Sequence, residues 1–209
     1  MKLYWGPHTC AIGIHVLLEE IGAPYETHKL DVTGGEATRP PFITTINPKG
    51  KVPVLVRDDG SVLTEFGAIA TWLARTHPEA KLLPAKPDAE ARTLEILDYV
   101  VGTVHGQGFE RIFKPANFEP PDVVHQSLGL GQSATEAQGR EMVEQGFQVL
   151  AKQVAEQSPE VNVADGALFY VERWAPQVDI PLPPALADHL ARMKARPAVQ
   201  RVMKIWGEA

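Results

Sequence analysis

The chain changes its manner of patterning at Leu82-Leu83-Pro84-Ala85-Lys86-Pro87, and this change narrows the possible folds more than any other feature. Proline fixes φ, lacks an N–H and pushes the residue before it toward extended backbone, so the stretch discourages helix. Before it, short β-prone runs alternate with helical periods. After it, no convincing strand occurs. This predicts an α/β domain over 1–81, an extended linker over 82–87 and an all-helical bundle over 88–209.

In the first half, Lys2–Trp5 reads as a strand. Residues 10–21 place Ile14, Leu17, Leu18 and Ile21 at helical spacing, and 25–30 reads as a second strand, giving β-α-β. A weakly patterned segment with Pro40-Pro41 follows. Val54-Leu55-Val56 and Val62-Leu63 then flank Asp58-Asp59-Gly60, a tight hairpin signal, before helical spacing resumes over 64–77, giving β-β-α. In the second half, helix starts are signalled by Asp88, by Ser133 with Glu136 as a capping box, by Asn162 with Asp165, and by Pro197. The stretch 115–121, Gly129-Leu130-Gly131 and 176–184 read as loops, and no internal repeat is present.

Composition excludes several classes. A 44% hydrophobic content can fill a core. One cysteine allows no internal disulfide, and no Cys/His pairs stand at zinc-site spacing, so no metal is expected and the compartment reads as reducing and cytoplasmic. No stretch approaches the roughly 20 apolar residues of a membrane span, and no signal-peptide core opens the chain. A net charge of −6 without a Lys/Arg cluster argues against nucleic acid.

Four places carry possible chemistry. Cys10 follows a predicted strand and the Gly6-Pro7-His8-Thr9 turn, where helix one begins. Free N–H groups and the helix dipole there favour a thiolate, so its pKa is expected to fall; the alternative is a small, inert packing residue. A cysteine-protease pairing with His8, His15 or His105 lacks the local signatures of such enzymes. Lys51-Val52-Pro53 starts the hairpin: a trans proline would begin an edge strand, whereas a cis bond would expose the Val52 backbone to an added extended peptide. At the next helix start, Thr64-Glu65-Phe66-Gly67-Ala68-Ile69, unsatisfied N–H groups make an anion site and Glu65 could receive an ammonium group, although acidic residues at helix starts also serve the dipole alone. His105 lies on the first long helix of the second half. Asn162 and Asp165 read as a folding cap.

Taken in order, Cys10 at its strand-to-helix turn, Asn47-Pro48-Lys49-Gly50-Lys51-Val52-Pro53-Val54-Leu55 and Leu63-Thr64-Glu65-Phe66-Gly67-Ala68-Ile69 resemble a cytosolic glutathione transferase, most like the bacterial beta class. The opening Met1-Lys2-Leu3-Tyr4-Trp5-Gly6-Pro7-His8-Thr9-Cys10 is similar to that class's start, in which cysteine replaces the Tyr or Ser used elsewhere. Asn162 to Asp165 followed by Ala167-Leu168-Phe169, and Arg196-Pro197-Ala198-Val199, are similar to the family's late helices. The likeness covers nearly the whole chain.

The resemblance implies a thioredoxin-like first domain, a helical second domain, a homodimer, and a detoxifying enzyme that uses glutathione as co-substrate against a small apolar electrophile. Cys10 would lie near the sulfur. Val52 would pair with the cysteinyl backbone across a cis Pro53. Glu65 and the Phe66 N–H would hold the γ-glutamyl end, and His105 is similar to the histidine that faces the site from the second domain. The electrophile pocket would be lined by loop 5–9 and the helix around 101–113. Three departures stand out: Phe66 replaces the usual Ser, and Gly34-Gly35 and Gly106 stand near the places of two usual lysines. Arg39 or Lys51 is the candidate cation for the glycyl carboxylate, and Asp98 the candidate contact from a partner subunit. These departures also motivate the alternative of a non-catalytic binding or interaction protein with the same fold.

Overall fold

The computed structural model describes residues 1–119, 133–156 and 160–208. Gly129-Leu130-Gly131 and the end of the 115–121 stretch lie outside the described residues. Strand β1 (Lys2–Trp5) alternates outward Lys2 and Tyr4 with buried Leu3 and Trp5, the period of two of a half-buried strand. It leads into α1 (Ala11–Ile21) and back to β2 (Glu26–Lys29), parallel to β1 with Lys2 opposite Glu26. Helix α1 buries every residue from Ala11 to Leu18 and ends at Gly22 in the left-handed conformation, which costs glycine no Cβ clash. A helix buried on all sides must be covered by more than one sheet.

The weakly patterned segment folds as a 3₁₀ turn (Glu36–Thr38) and the short α2 (Phe42–Thr45). Phe42 packs with Leu30, Ala37 and Val54 in a small satellite core. Strands β3 (Val54–Val56) and β4 (Val62–Thr64) form the predicted hairpin, with Arg57 N–H donating to Ser61 O and Gly60 at φ 81°. β3 also pairs antiparallel with β1, so the sheet order is β2-β1-β3-β4, and α3 (Phe66–Thr76) completes a thioredoxin-like unit.

The second half is helical. α4 (Pro87–Asp98) continues without a break through a wide π-helical stretch, Tyr99–Phe109, into α5 (Glu110–Phe113). Gly102, Gly106 and Gly108 make this stretch a poor ordinary helix, and α6 (Ala134–Ala155) packs closely on it: a Cβ at Gly146 would lie 2.6 Å from Val104, and one at Gly139 2.8 Å from the Gly108 carbonyl. Ser133 caps α6 by accepting from the Glu136 N–H at 3.1 Å; the return bond of a full capping box is not made, because Glu136 turns toward Arg140.

Helix α7 (Val163–Trp174) is buried along its whole length. Its cap is the predicted reciprocal box: Asn162 accepts from Ala164 N–H at 2.8 Å, and Asp165 accepts from Asn162 N–H at 2.7 Å. α7 crosses α1 where Gly13 meets Gly166; a Cβ on Gly13 would lie 2.2 Å from the Gly166 carbonyl. Helices α8 (Pro184–Ala195) and α9 (Pro197–Trp206) follow. Trp206 stacks on Trp5 and donates to His15 Nδ1 at 2.9 Å, tying α9 to α1. One hydrophobic core therefore runs through both halves, and the site described next lies along their seam. Among the described residues no helix is long and apolar enough to cross a membrane.

Candidate functional site

Cys10 occupies the cap position of α1, and its thiol turns inward to donate to the Val52 carbonyl at 3.8 Å. Burial pushes the thiol up from about 9 to about 12, with Glu110 and Glu65 adding to the effect and the Cys10 backbone N–H and Lys51 opposing it. This reverses the direction expected from the helix start. The dipole acts on a group withdrawn from water and flanked by carboxylates, and desolvation wins. His15 is not a partner for Cys10: it is buried between Trp206 and Tyr25, and burial lowers its pKa to about 4, with Glu19 opposing. His8 is exposed, in the left-handed region at φ 60°.

The Val52–Pro53 bond is cis. Among the described residues no group accepts from the Val52 N–H, which leaves it open to an extended ligand. The loop before it is fixed by buried Asn47, which donates to the Lys51 carbonyl at 2.8 Å and accepts from the Lys49 N–H at 3.1 Å. Lys51 itself is exposed.

Glu65 sits just before α3 at φ 74°, a conformation that costs a non-glycine residue about 1–3 kcal/mol and persists only where the surroundings enforce it. Its carboxylate meets Lys49 Nζ at 2.6 Å, and Lys49 also donates to Thr64 Oγ1 at 3.0 Å. The Phe66 side chain turns away from this rim into the core, edge-on to Tyr170 at 5.3 Å and against Gly13 of α1. Only its backbone N–H, an unpaired first-turn donor, faces the same end as Glu65. Near the vacant place of the first lysine, Arg39 lays its guanidinium against Gly35, where a Cβ would come within 2.9 Å of Nη2.

From the second half, the π-helical stretch presents His105. Its Nδ1 lies 3.1 Å from the Tyr170 hydroxyl and its Nε2 3.8 Å from Glu110. The His105 contact holds the Glu110 carboxyl down to about 2, against the opposing effect of burial and with help from Lys114. Burial, and secondarily the charge of Cys10, holds the Tyr170 phenol well above its usual range. Trp174 lies edge-on to His105 at 4.9 Å and to exposed Phe113 at 5.5 Å, so these rings form an apolar wall. Asp98 lies elsewhere, in a groove of about 740 Å³ between α3 and α4 with Leu63, Trp72, Leu94 and Leu97, and Glu65 at its edge.

The N-terminal domain of glutathione S-transferases matches residues 9–76 of the chain. A glutathione S-transferase from Escherichia coli is 29% identical, with 99% of each chain covered. Among solved structures, a sphingomonad glutathione S-transferase complexed with glutathione matches with a TM-score of 0.78 and 31% identity over the whole of both chains. The bacterial beta class enzyme of Sphingomonas chungbukensis matches with a TM-score of 0.80 and 27% identity, again over both whole chains. The chain belongs to the glutathione transferase family. Its likeness is to the bacterial beta class, as the order of its motifs implied.

Within this glutathione transferase the fold brings Cys10, Val52, Glu65 and the Phe66 amide to one end of the first half, and His105 toward them from the second. Sequence reasoning missed Lys49, Glu110 and Tyr170. Lys49 stands inside the quoted Asn47 to Leu55 motif and could have been found by asking which cation meets Glu65. Tyr170 had no local signal, because it is 65 residues from His105. Among the described residues no cluster of side chains suits a metal ion.

Proposed function

We propose that this glutathione transferase adds the glutathione thiolate to a small apolar electrophile, with glutathione extended across the open end of the first half. The observation that carries this reading is the meeting of the Cys10 thiol with the Val52 carbonyl beside the cis Pro53, in line with the left-handed Glu65 at the start of α3. The Val52 backbone pairs with the cysteinyl residue as an added strand would. Glu65 takes the γ-glutamyl ammonium, and the Phe66 N–H at the helix start takes its carboxylate. Arg39 or Lys51 meets the glycyl carboxylate. Cys10, kept protonated by its burial, donates its S–H toward the glutathione sulfur. Forming a mixed disulfide by attack on oxidised glutathione, with one glutathione leaving as its thiolate, first requires the Cys10 proton to leave, which makes thiol transfer the slower use of the site.

The electrophile lies against the Trp174 and Phe113 rings, so 1–81 serves as the glutathione domain and 88–209 as the electrophile domain. The apolar groove between α3 and α4 is covered by a second copy of the chain, which sets Asp98 near the ligand of its partner. A chain with one free cysteine suits the reducing cytoplasm.

Calorimetry with glutathione, followed by conjugation to a dinitrohalobenzene, tests the reading. Saturable binding at millimolar glutathione and turnover that E65A weakens are expected. Absence of binding at that concentration would leave the non-catalytic reading.

A further inference from the structure

In an ordinary α-helix, residues five apart lie about 140° apart around the axis, and Glu110 would face away from His105 and the seam. The wider winding of 99–109 prevents this. The Glu110 N–H donates to the His105 carbonyl, an i→i+5 bond, and the two side chains come within 3.8 Å on one face. Phe113 stands three residues further on, where side chains of a helix are neighbours. At 44% exposed, against 4% for Trp174, it is the ring of the apolar wall that a ligand can reach. A carboxylate, its side chain 27% exposed, therefore stands at the edge of that surface.

This carboxylate is charged and only half used. The His105 contact holds it down to about 2, so it is ionised at neutral pH. Both of its contacts go to Oε1: His105 Nε2 at 3.8 Å, too long for a hydrogen bond, and Nζ of the exposed Lys114 at 3.4 Å. Among the described residues no group meets Oε2. Arg111, the other cation on α5, is committed elsewhere: it donates to the Gln107 carbonyl and side chain at 2.8 Å and lies over the Phe118 ring at 4.3 Å. The accessible part of the wall is thus an aromatic ring beside a negative charge with an open acceptor oxygen.

We propose that Glu110 is a specificity-determining residue, which selects neutral or cationic aromatic electrophiles bearing an N–H or O–H donor and rejects those bearing a carboxylate. This rests on the transferase reading above and names the substrate class of the same site. The electrophile's ring stacks on Phe113 and its donor points at Glu110 Oε2. A carboxylate in that place meets a like charge in a setting partly withdrawn from water, where the repulsion is poorly screened. Glu110 makes and breaks no bond; it acts only on which electrophile the wall holds.

The test uses the full chain with 4-chloro-3-nitrobenzamide and 4-chloro-3-nitrobenzoate, which share a ring and a leaving group and differ in a carboxamide donor against a carboxylate. With each rate divided by that of the uncatalysed reaction with glutathione, the parent should favour the amide in kcat/KM by about 10- to 100-fold. E110Q should bring the ratio within about threefold of one, chiefly by gaining on the benzoate. E110D keeps the charge and should keep the preference, and K114A, which strips the carboxylate of its exposed cation, should widen it. A ratio between two electrophiles cancels any loss of fold or of glutathione binding that both share. The same ratio in parent and E110Q, a narrower one in K114A, or a parental preference for the benzoate overturns the proposal. Quenching of tryptophan fluorescence by the unreactive pair 3-nitrobenzamide and 3-nitrobenzoate needs neither glutathione nor turnover, and should show the same order in the parent and lose it in E110Q. Absence of turnover with both chlorides would strike the transferase reading and leave that binding order to decide this one.

Discussion

Two histidines pack against the same helix, α7, and do opposite things. His189 of α8 is 4% exposed, with Nδ1 2.8 Å from Glu172 and Nε2 3.0 Å from Asp165. Burial alone would lower its pKa, but the bonds to Asp165 and Glu172 outweigh it and raise it to about 9. His105 has one carboxylate and one phenol for partners and lies beside the open end of the seam. Two carboxylates with no path to water make a fixed charge clamp. One carboxylate at 3.8 Å, one hydroxyl at 3.1 Å and a partly exposed ring leave His105 held far more loosely. Asp165 shows how economical the clamp is: Oδ2 caps its own helix while Oδ1 holds α8.

The largest effect expected from breaking this contrast is H189A. It leaves two buried carboxylates without their cation and should lower stability by about 3–5 kcal/mol in urea titrations, whereas H105A, which leaves one buried hydroxyl unpaired, should cost about 1–3 kcal/mol. Similar losses in both would erase the distinction. F66S comes next. It restores the hydroxyl the family usually has, yet removes a ring packed between Gly13 and Tyr170, and should cost about 3 kcal/mol of stability while tightening glutathione binding.

The pH dependence sharpens the contrast further. Because the folded pKa of His189 is raised, its stabilisation is complete below about 6.5 and is lost as pH rises through about 9. The midpoint in urea should therefore fall on that alkaline side in the parent and in H105A, and lose this limb in H189Q. At the site itself, thiolate absorbance, which in this chain reports Cys10 alone, should stay absent through neutral pH and rise only toward about 12. An early rise near neutrality would mean that the thiol is far better solvated than its contact with Val52 implies. The smallest effect is K49A: an exposed ion pair is worth about 0–1 kcal/mol, so releasing Glu65 should change glutathione affinity by less than about fivefold.

Much of this molecule was legible in advance because it is written locally. The hairpin around Gly60, the α1 start after Cys10, the Asn162 cap with Asp165, and Pro197 at the head of α9 each depend on residues within a few positions of one another. The segment around Pro40-Pro41 was not legible, because the short α2 is held by Phe42 packing onto Leu30 and Val54 from either side of it in sequence. The winding of the 99–109 stretch was not legible either: its glycines signal a poor α-helix but not which winding replaces it, nor that α6 approaches it closely at Gly139 and Gly146.

The sequence by itself determined the two-part architecture, the order of motifs that places the chain among the glutathione transferases, and the residues of the first half that line up at one end. Those are matters of period, capping and turn chemistry, which act over a few residues. Tertiary structure alone decided the charge state of Cys10, the burial of the Phe66 ring, and the joining of Glu110, His105 and Tyr170. Desolvation and cross-core contacts depend on what a distant segment brings alongside, and no local pattern carries that information.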